Sequence, residues 1–282
     1  MAGPGDITIA DTKRYERDVK EAYQRMGSKL RGTIRTVTGV IGADTTFQKV
    51  GKGTADTKAR HGLVPVMNLD WSNVTCTLTD RYAGDWTDKL DALRTNVSER
   101  EVIVNAGAYA LGRATDADII TALATASTSV TMTTTSSVTF RNSVISAIGT
   151  LRAADVPDDG NIFGAVSWTF WQWLLTVPQF ASTDYVQGQP YANGSMVKNW
   201  LGVNWIPFTG VTSVGTASEV GYLYHKTALG HAIGAEQSSD ITWHGDRAAW
   251  FINNMMRMGA CLIDSTGVVK MPLDATVTLP TS

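Results

Sequence analysis

The sequence is poor in the residues that build most small-molecule chemistry. It has two cysteines, Cys76 and Cys261, far apart and without metal-ligand or redox-pair spacing, so neither a disulfide scaffold nor a cysteine-rich metal site is expected. It has four histidines, His61, His225, His231 and His244, and none shows the two-imidazole spacing that presents zinc ligands on one helical face. Charged residues make up only 18% of the chain, which argues against a disordered or coiled-coil protein. No apolar run approaches the roughly 18 residues of a membrane-spanning helix, and Met1-Ala2-Gly3-Pro4-Gly5-Asp6 lacks the basic-then-apolar order of a secretory signal. The expectation is a soluble chain with no membrane partner. Neither a nucleophile elbow nor a dinucleotide fingerprint occurs. Gly51-Lys52-Gly53-Thr54 has phosphate-loop residue types without the phosphate-loop spacing.

What is present is a large apolar fraction, 43% of 282 residues, enough for a sizeable core of one large domain or two modest ones. The net charge of −2 hides an asymmetry: residues 1–60 hold 12 basic and 7 acidic side chains, and the rest of the chain is acidic. Much of the basic excess falls on a segment where Asp11 is a good N-cap and Tyr15, Val19, Tyr23, Met26 and Leu30 recur at helical spacing. That predicts an amphipathic helix over about 12–30 carrying Lys13, Arg14, Arg17 and Lys20, candidates for contact with DNA or a neighbouring acidic surface.

From Thr33 the chain turns Thr- and Val-rich, which predicts strands. Residues 51–62 are polar and glycine-rich, an exposed loop tip. Leu63 to Trp71 and Val74 to Leu78 then alternate with period two, as half-buried strands do. Together these predict a long two-stranded arm. An isolated ribbon is marginal in water, so the arm is expected to need a partner surface. Lys49, Lys52, Lys58 and Arg60 lie near its tip.

Ser98-Glu99-Arg100-Glu101 reads as a capping box that starts a helix at Glu99, running to about Gly112, with a second segment from Asp116. Residues 124–139 read as an Ala/Ser/Thr loop, Phe140 to Leu151 as a helix, and Ile162 to Val166 as an apolar strand. Trp168, Phe170, Trp171, Trp173, Leu174 and Leu175 predict a helix apolar on most sides, hence core. Val220 to Leu223 and Ala260 to Met271 read as strands, with Asp264-Ser265-Thr266-Gly267 as a hairpin turn in the second. This order is α+β.

Two chemical patterns compete with a structural role. Ser195-Met196-Val197-Lys198 matches Ser-x-x-Lys, with Lys226-Thr227-Ala228 a faint second element, which would make a serine-lysine hydrolase. Asp70, Asp80, Asp85, Asp88 and Asp91 form an acidic run that turns and helix starts explain more simply.

Several stretches, taken in order, resemble one family. Ala108-Tyr109-Ala110-Leu111-Gly112-Arg113 through Leu123 resembles the end of the spine helix of tailed-bacteriophage major capsid proteins. Ala147-Ile148-Gly149-Thr150-Leu151-Arg152 through Val156-Pro157 is similar to the helix that ends in their Val-Pro turn. Asn193-Gly194-Ser195 through Leu201-Gly202-Val203, His225-Lys226-Thr227-Ala228-Leu229-Gly230, and Gly259-Ala260-Cys261-Leu262-Ile263 through Val268-Val269 complete the series.

The resemblance implies the bacteriophage Hong Kong 97 fold: an N-terminal arm over 1–32, an extended β-hairpin E-loop over 33–82, a peripheral domain with the spine helix over 83–150 and 236–282, and an axial domain over 151–235. It implies no enzymatic activity and no cofactor. The protein would be a structural subunit that self-assembles as hexamers and pentamers into an icosahedral shell around double-stranded DNA. It would form in the host bacterial cytoplasm and reside in the virion. Lys49, Lys52, Lys58 and Arg60 would make intersubunit contacts, noncovalent because no crosslinking motif accompanies them. A portal and a decoration protein are further expected partners. A separate scaffolding protein is also expected, since no long helical extension precedes Asp11. The same fold admits one rival use, an encapsulin-type compartment shell.

Overall fold

The structure, a computed structural model, describes residues 27–90, 99–181 and 198–279. The helix expected over 12–30 falls almost wholly outside them, and Lys13, Arg14, Arg17 and Lys20 with it. The described chain is α+β, with eleven strands in three sheets.

The first sheet has four strands in the order β1 (Arg35–Thr38), β9 (Leu229–His244), β10 (Ala249–Leu262), β4 (Thr79–Asp88). Helix α1 (Glu99–Ala124) packs on it. The break expected near Gly112 does not occur, and α1 is one helix of 26 residues. A lone glycine costs a helix only about 1 kcal/mol, and here it has a packing use: a Cβ at Gly112 would stand 2.5 Å from the Gly27 carbonyl carbon. The helix therefore lets the incoming chain cross at backbone distance.

The second sheet has five strands, β11 (Val268–Leu273), β8 (Glu219–His225), β5 (Ile162–Val166), β7 (Val203–Pro207) and β6 (Lys198–Trp200), with only β5 and β7 parallel. Both of its faces are buried. Ile162, Val166, Val203, Trp205 and Leu223 face a core completed by α2 (Ser137–Ala153) and the aromatic helix α3 (Trp168–Leu175). Ala165, Tyr222, Tyr224 and Val268 face a second core shared with Leu30, Ile119 and Leu123. Strands covered on both faces lose the polar half of the alternation and read as apolar runs, as Ile162 to Val166 does. β6 and β7 turn through Leu201 and Gly202, both at positive φ (56° and 77°), a tight two-residue hairpin turn.

The aromatic stretch is core, as expected: Phe170 and Trp173 on α3 contact Phe140 at ring-centroid distances of 5.1 and 5.6 Å. Ser167 caps α3, accepting from the Phe170 amide at 3.0 Å, while its own hydroxyl donates to the buried Glu219. Helix α2 begins three residues earlier than expected because Ser136 and Thr139 form a reciprocal capping box. The loop before it docks on β11, the Val130 and Met132 amides donating to the Lys270 and Pro272 carbonyls. A four-residue helix, α4 (Pro178–Ala181), follows α3.

Two strand expectations need correction. Asp264 to Gly267 does not close a hairpin. It is a 3-10 turn in which Asp264 accepts from the Thr266 amide, and it hands the chain from β10 in the first sheet to β11 in the second. Residues 63–70 are not strand: the ladder with β2 ends at Val50–Trp71, and among the described residues most of this segment's side chains stand exposed.

Candidate assembly surfaces

The arm is the third sheet, β2 (Asp44–Val50) paired antiparallel with β3 (Trp71–Thr77), closed by the Gly51 amide donating to Asp70 O at 2.7 Å. Its root is buried. Phe47 lies over Gly230, and Phe47, Cys76, Leu78, Ala232 and Ile263 form a small cluster that ties the arm to the first sheet. The cluster also receives Cys261, so folding unites two cysteines that sequence separation placed apart. The neighbouring Cys261 thiol lowers the pKa of Cys76 against the opposing effect of burial, and the neighbouring Cys76 together with burial pushes Cys261 up.

Beyond the root the arm has hydrogen bonds but little burial. Leu63 is 96% exposed, Val66 81% and Trp71 67%, with Val50, Val64 and Met67 also outside. An exposed apolar series of this kind on a monomer marks an interaction surface. The expected tip residues divide into two pairs. Lys49 is partly buried and bonds Asp264 at 2.9 Å. Lys52 bonds Asp155, holding that carboxyl below its ordinary range. Lys58 and Arg60 stand exposed on the distal loop.

The start of the described chain is fixed by a residue that sequence reading treated only as a helix position. Asp116 on α1 is fully buried, and its carboxylate accepts from the Ser28 hydroxyl and from the Lys29 and Leu30 amides, both at 3.1 Å. Three convergent donors satisfy a charge that burial would otherwise make costly. Asp116 therefore ties Ser28 to Leu30 to α1.

A further surface lies at the far end of the β9–β10 ribbon. Trp86 packs on Phe251 at 4.7 Å and Trp243 on Trp250 at 5.1 Å. Arg247 stands over Trp86 at 4.5 Å and Arg100 over Trp250 at 4.4 Å. Aromatic faces stacked under guanidinium groups form a rigid, half-exposed tip, suited to contact with another protein surface. Its members come from residues 86, 100, 243, 247, 250 and 251, so no linear motif announces it.

The chemical alternatives find little support. Ser195 lies outside the described residues, while Lys226 and Thr227 form a 3-10 turn capped by His225. His225 also contacts Asp159 at 3.0 Å. Asp80, Asp85 and Asp88 lie on strand β4 rather than in turns or at helix starts: Asp80 pairs with Arg257, and Asp85 and Asp88 accept from the Trp86 and Leu90 amides; Asp91 is outside the described residues. Among the described residues no group of histidine, cysteine and carboxylate side chains could hold a metal ion, and no helix is long and apolar enough to cross a membrane.

Comparison with known proteins agrees with this geometry. The family described as phage capsid protein matches residues 7–274. No curated protein sequence matches the chain. Among solved structures, one from Mycobacterium phage Che8 superposes with a TM-score of 0.71 at 18% identity, covering 91% of this chain and 95% of that one. One from Gordonia phage Cozz gives 0.73 at 15% identity, covering 97% and 96%. The capsid structure of the cyanophage P-SCSP1u gives 0.74 at 14% identity, covering 94% and 93%.

Proposed function

Because the chain belongs to the phage capsid protein family, we propose a specific account of how it builds its shell. The protein is a tailed-phage major capsid protein with the Hong Kong 97-type fold, a structural subunit of the virion shell. In our account, its copies close as hexamers and pentamers into an icosahedral shell around double-stranded DNA, packaged without sequence preference. The exposed apolar series on the arm carries this reading: those side chains have no cover among the described residues, and an adjacent copy supplies it. Lys58 and Arg60 meet the neighbour there. Lys49 and Lys52 stay with their own acids or exchange them for a neighbour's.

The arm of β2, β3 and their connecting loop corresponds to the E-loop, narrower than the 33–82 expected because β1 and the start of β4 join the four-stranded sheet; α1 and that sheet correspond to the peripheral domain, and the five-stranded sheet to the axial domain that meets its symmetry mates. Lys13, Arg14, Arg17 and Lys20 face the packaged DNA or a neighbouring acidic surface. A separate scaffolding protein guides closure in the host cytoplasm, a portal occupies one vertex, and a decoration protein is a candidate for the outside. The family match favours this virion role over a compartment that stores enzymes, and the work of the molecule lies in repeated interfaces rather than in an active site.

Electron microscopy of the purified chain, paired with light-scattering mass, tests the account. Rings of five or six copies, or closed shells, are expected. A chain without residues 52–69 should fold and remain unassembled, whereas shells formed by that deletion would refute the role of the arm.

A further inference from the structure

We propose that Cys76 and Cys261 form a redox-switchable disulfide that clasps the root of the arm to the four-stranded sheet. The inference does not depend on the shell reading. Cys76 sits on β3, the returning strand of the arm, and Cys261 on β10 of the sheet beneath it, and the two share one small cluster with Phe47, Leu78, Ala232 and Ile263. Both are free thiols, and both pack into the cluster that ties the root of the arm to the sheet.

Access differs between them in a way that orders the chemistry. Cys76 is buried, while Cys261 is partly exposed and lines a hollow of about 380 Å³ with Thr77, Thr79, Arg81, Asp118 and Gly259. A small disulfide such as oxidised glutathione reaches Cys261 from that hollow. The Cys261 sulfur, giving its proton to solvent, attacks one sulfur of the small disulfide and expels one small thiolate, leaving a mixed disulfide on Cys261. The Cys76 sulfur then attacks the Cys261 sulfur and expels the second. Two protein thiols are oxidised and one small disulfide is reduced to two thiols, with the two protein protons passing to the released thiolates. Thiolate is the attacking form in both steps, so the exchange should speed up as pH rises.

Such a bond joins segments near opposite ends of the described chain, and it closes a long loop of the unfolded state. It fixes the root of the arm while leaving the distal residues 51–70 free to meet a neighbour. Oxidation outside a cell would set it, and a reducing cytoplasm would keep it open during assembly.

The test is to treat the full chain with oxidised glutathione, block remaining thiols with iodoacetamide, and map peptides without reduction. We expect a mass lower by about 2 Da, no alkylation, a Cys76–Cys261 peptide pair within one chain, and reversal by dithiothreitol. The melting temperature should rise by about 5 °C or more. In Cys76→Ser the glutathione should remain as a stable adduct on Cys261, since the resolving thiol is gone. Two alkylatable thiols after oxidation, a persistent glutathione adduct on the native chain, or a bond between different copies would overturn the proposal.

Discussion

The five-stranded sheet and the arm are both built from strands, and they solve the burial problem in opposite ways. The sheet is covered on both faces by its own chain, with Trp205, Tyr222, Tyr224 and Leu223 all fully buried. The arm has a complete ladder of backbone pairs from Asp44–Thr77 to Val50–Trp71, yet only its root is buried and Trp71 stands in solvent. Hydrogen bonding therefore forms a ribbon without making it a stable unit, because the larger share of stabilisation comes from apolar area removed from water. The difference teaches where the described chain covers its own strands and where it leaves them exposed.

The comparison can be broken most severely from the sheet side. Trp205 fills the space left by Gly164, where a Cβ would meet its ring at 2.6 Å, and its indole donates to Trp200 O. Trp205→Ala should cost about 3–5 kcal/mol, read as a lowered denaturant midpoint. Asp116→Ala comes next. It leaves the Ser28 hydroxyl and the Lys29 and Leu30 amides without their acceptor, and about 2–4 kcal/mol should be lost.

His231 sharpens the boundary between the two regions, since it lies on β9 beneath the root of the arm, fully buried and with neither ring nitrogen bonded. Burial first, then the Arg31 charge, hold its pKa down at about 4 from 6.5, with Glu236 opposing. The folded imidazole is neutral, while the unfolded one takes a proton below about pH 6.5, so the unfolded state binds more protons there. Stability should fall as pH drops from about 6.5 toward 4, by up to about 1.4 kcal/mol per pH unit. Denaturant midpoints at several pH values check this, and His231→Gln should flatten the slope. The smallest effect on the fold should come from the arm. Changing Leu63 and Val66 together to serine should move stability by less than about 0.5 kcal/mol, while assembly, followed by light scattering, is lost.

Much of the core around the five-stranded sheet was legible because its chemistry is local. The apolar run at Ile162 to Val166 and the aromatic spacing from Trp168 to Leu175 each specify an element without reference to distant residues. The arm was legible as far as its pairing, since Val74, Cys76 and Leu78 alternate. The same alternation misled at Leu63 to Asp70, where no strand forms and most of the side chains stand exposed among the described residues. β9 and β4 escaped because Glu236 to Asp240 and Arg81 to Asp85 are polar, and long-range pairing with β10 outweighs their weak propensity. The cysteine pair and the Asp116 anchor were invisible for a related reason: each depends on contact between segments far apart in the chain, and spacing along the sequence carries no trace of it.

Hydrogen exchange of residues 51–70, compared between the isolated chain and assembled particles, tests the central claim most directly. If the arm finds its missing surface on a neighbouring copy, these amides should exchange rapidly in the isolated chain and become strongly protected in particles, while those of β5 and β8 change little. Equal exchange of residues 51–70 in the two states would contradict the account.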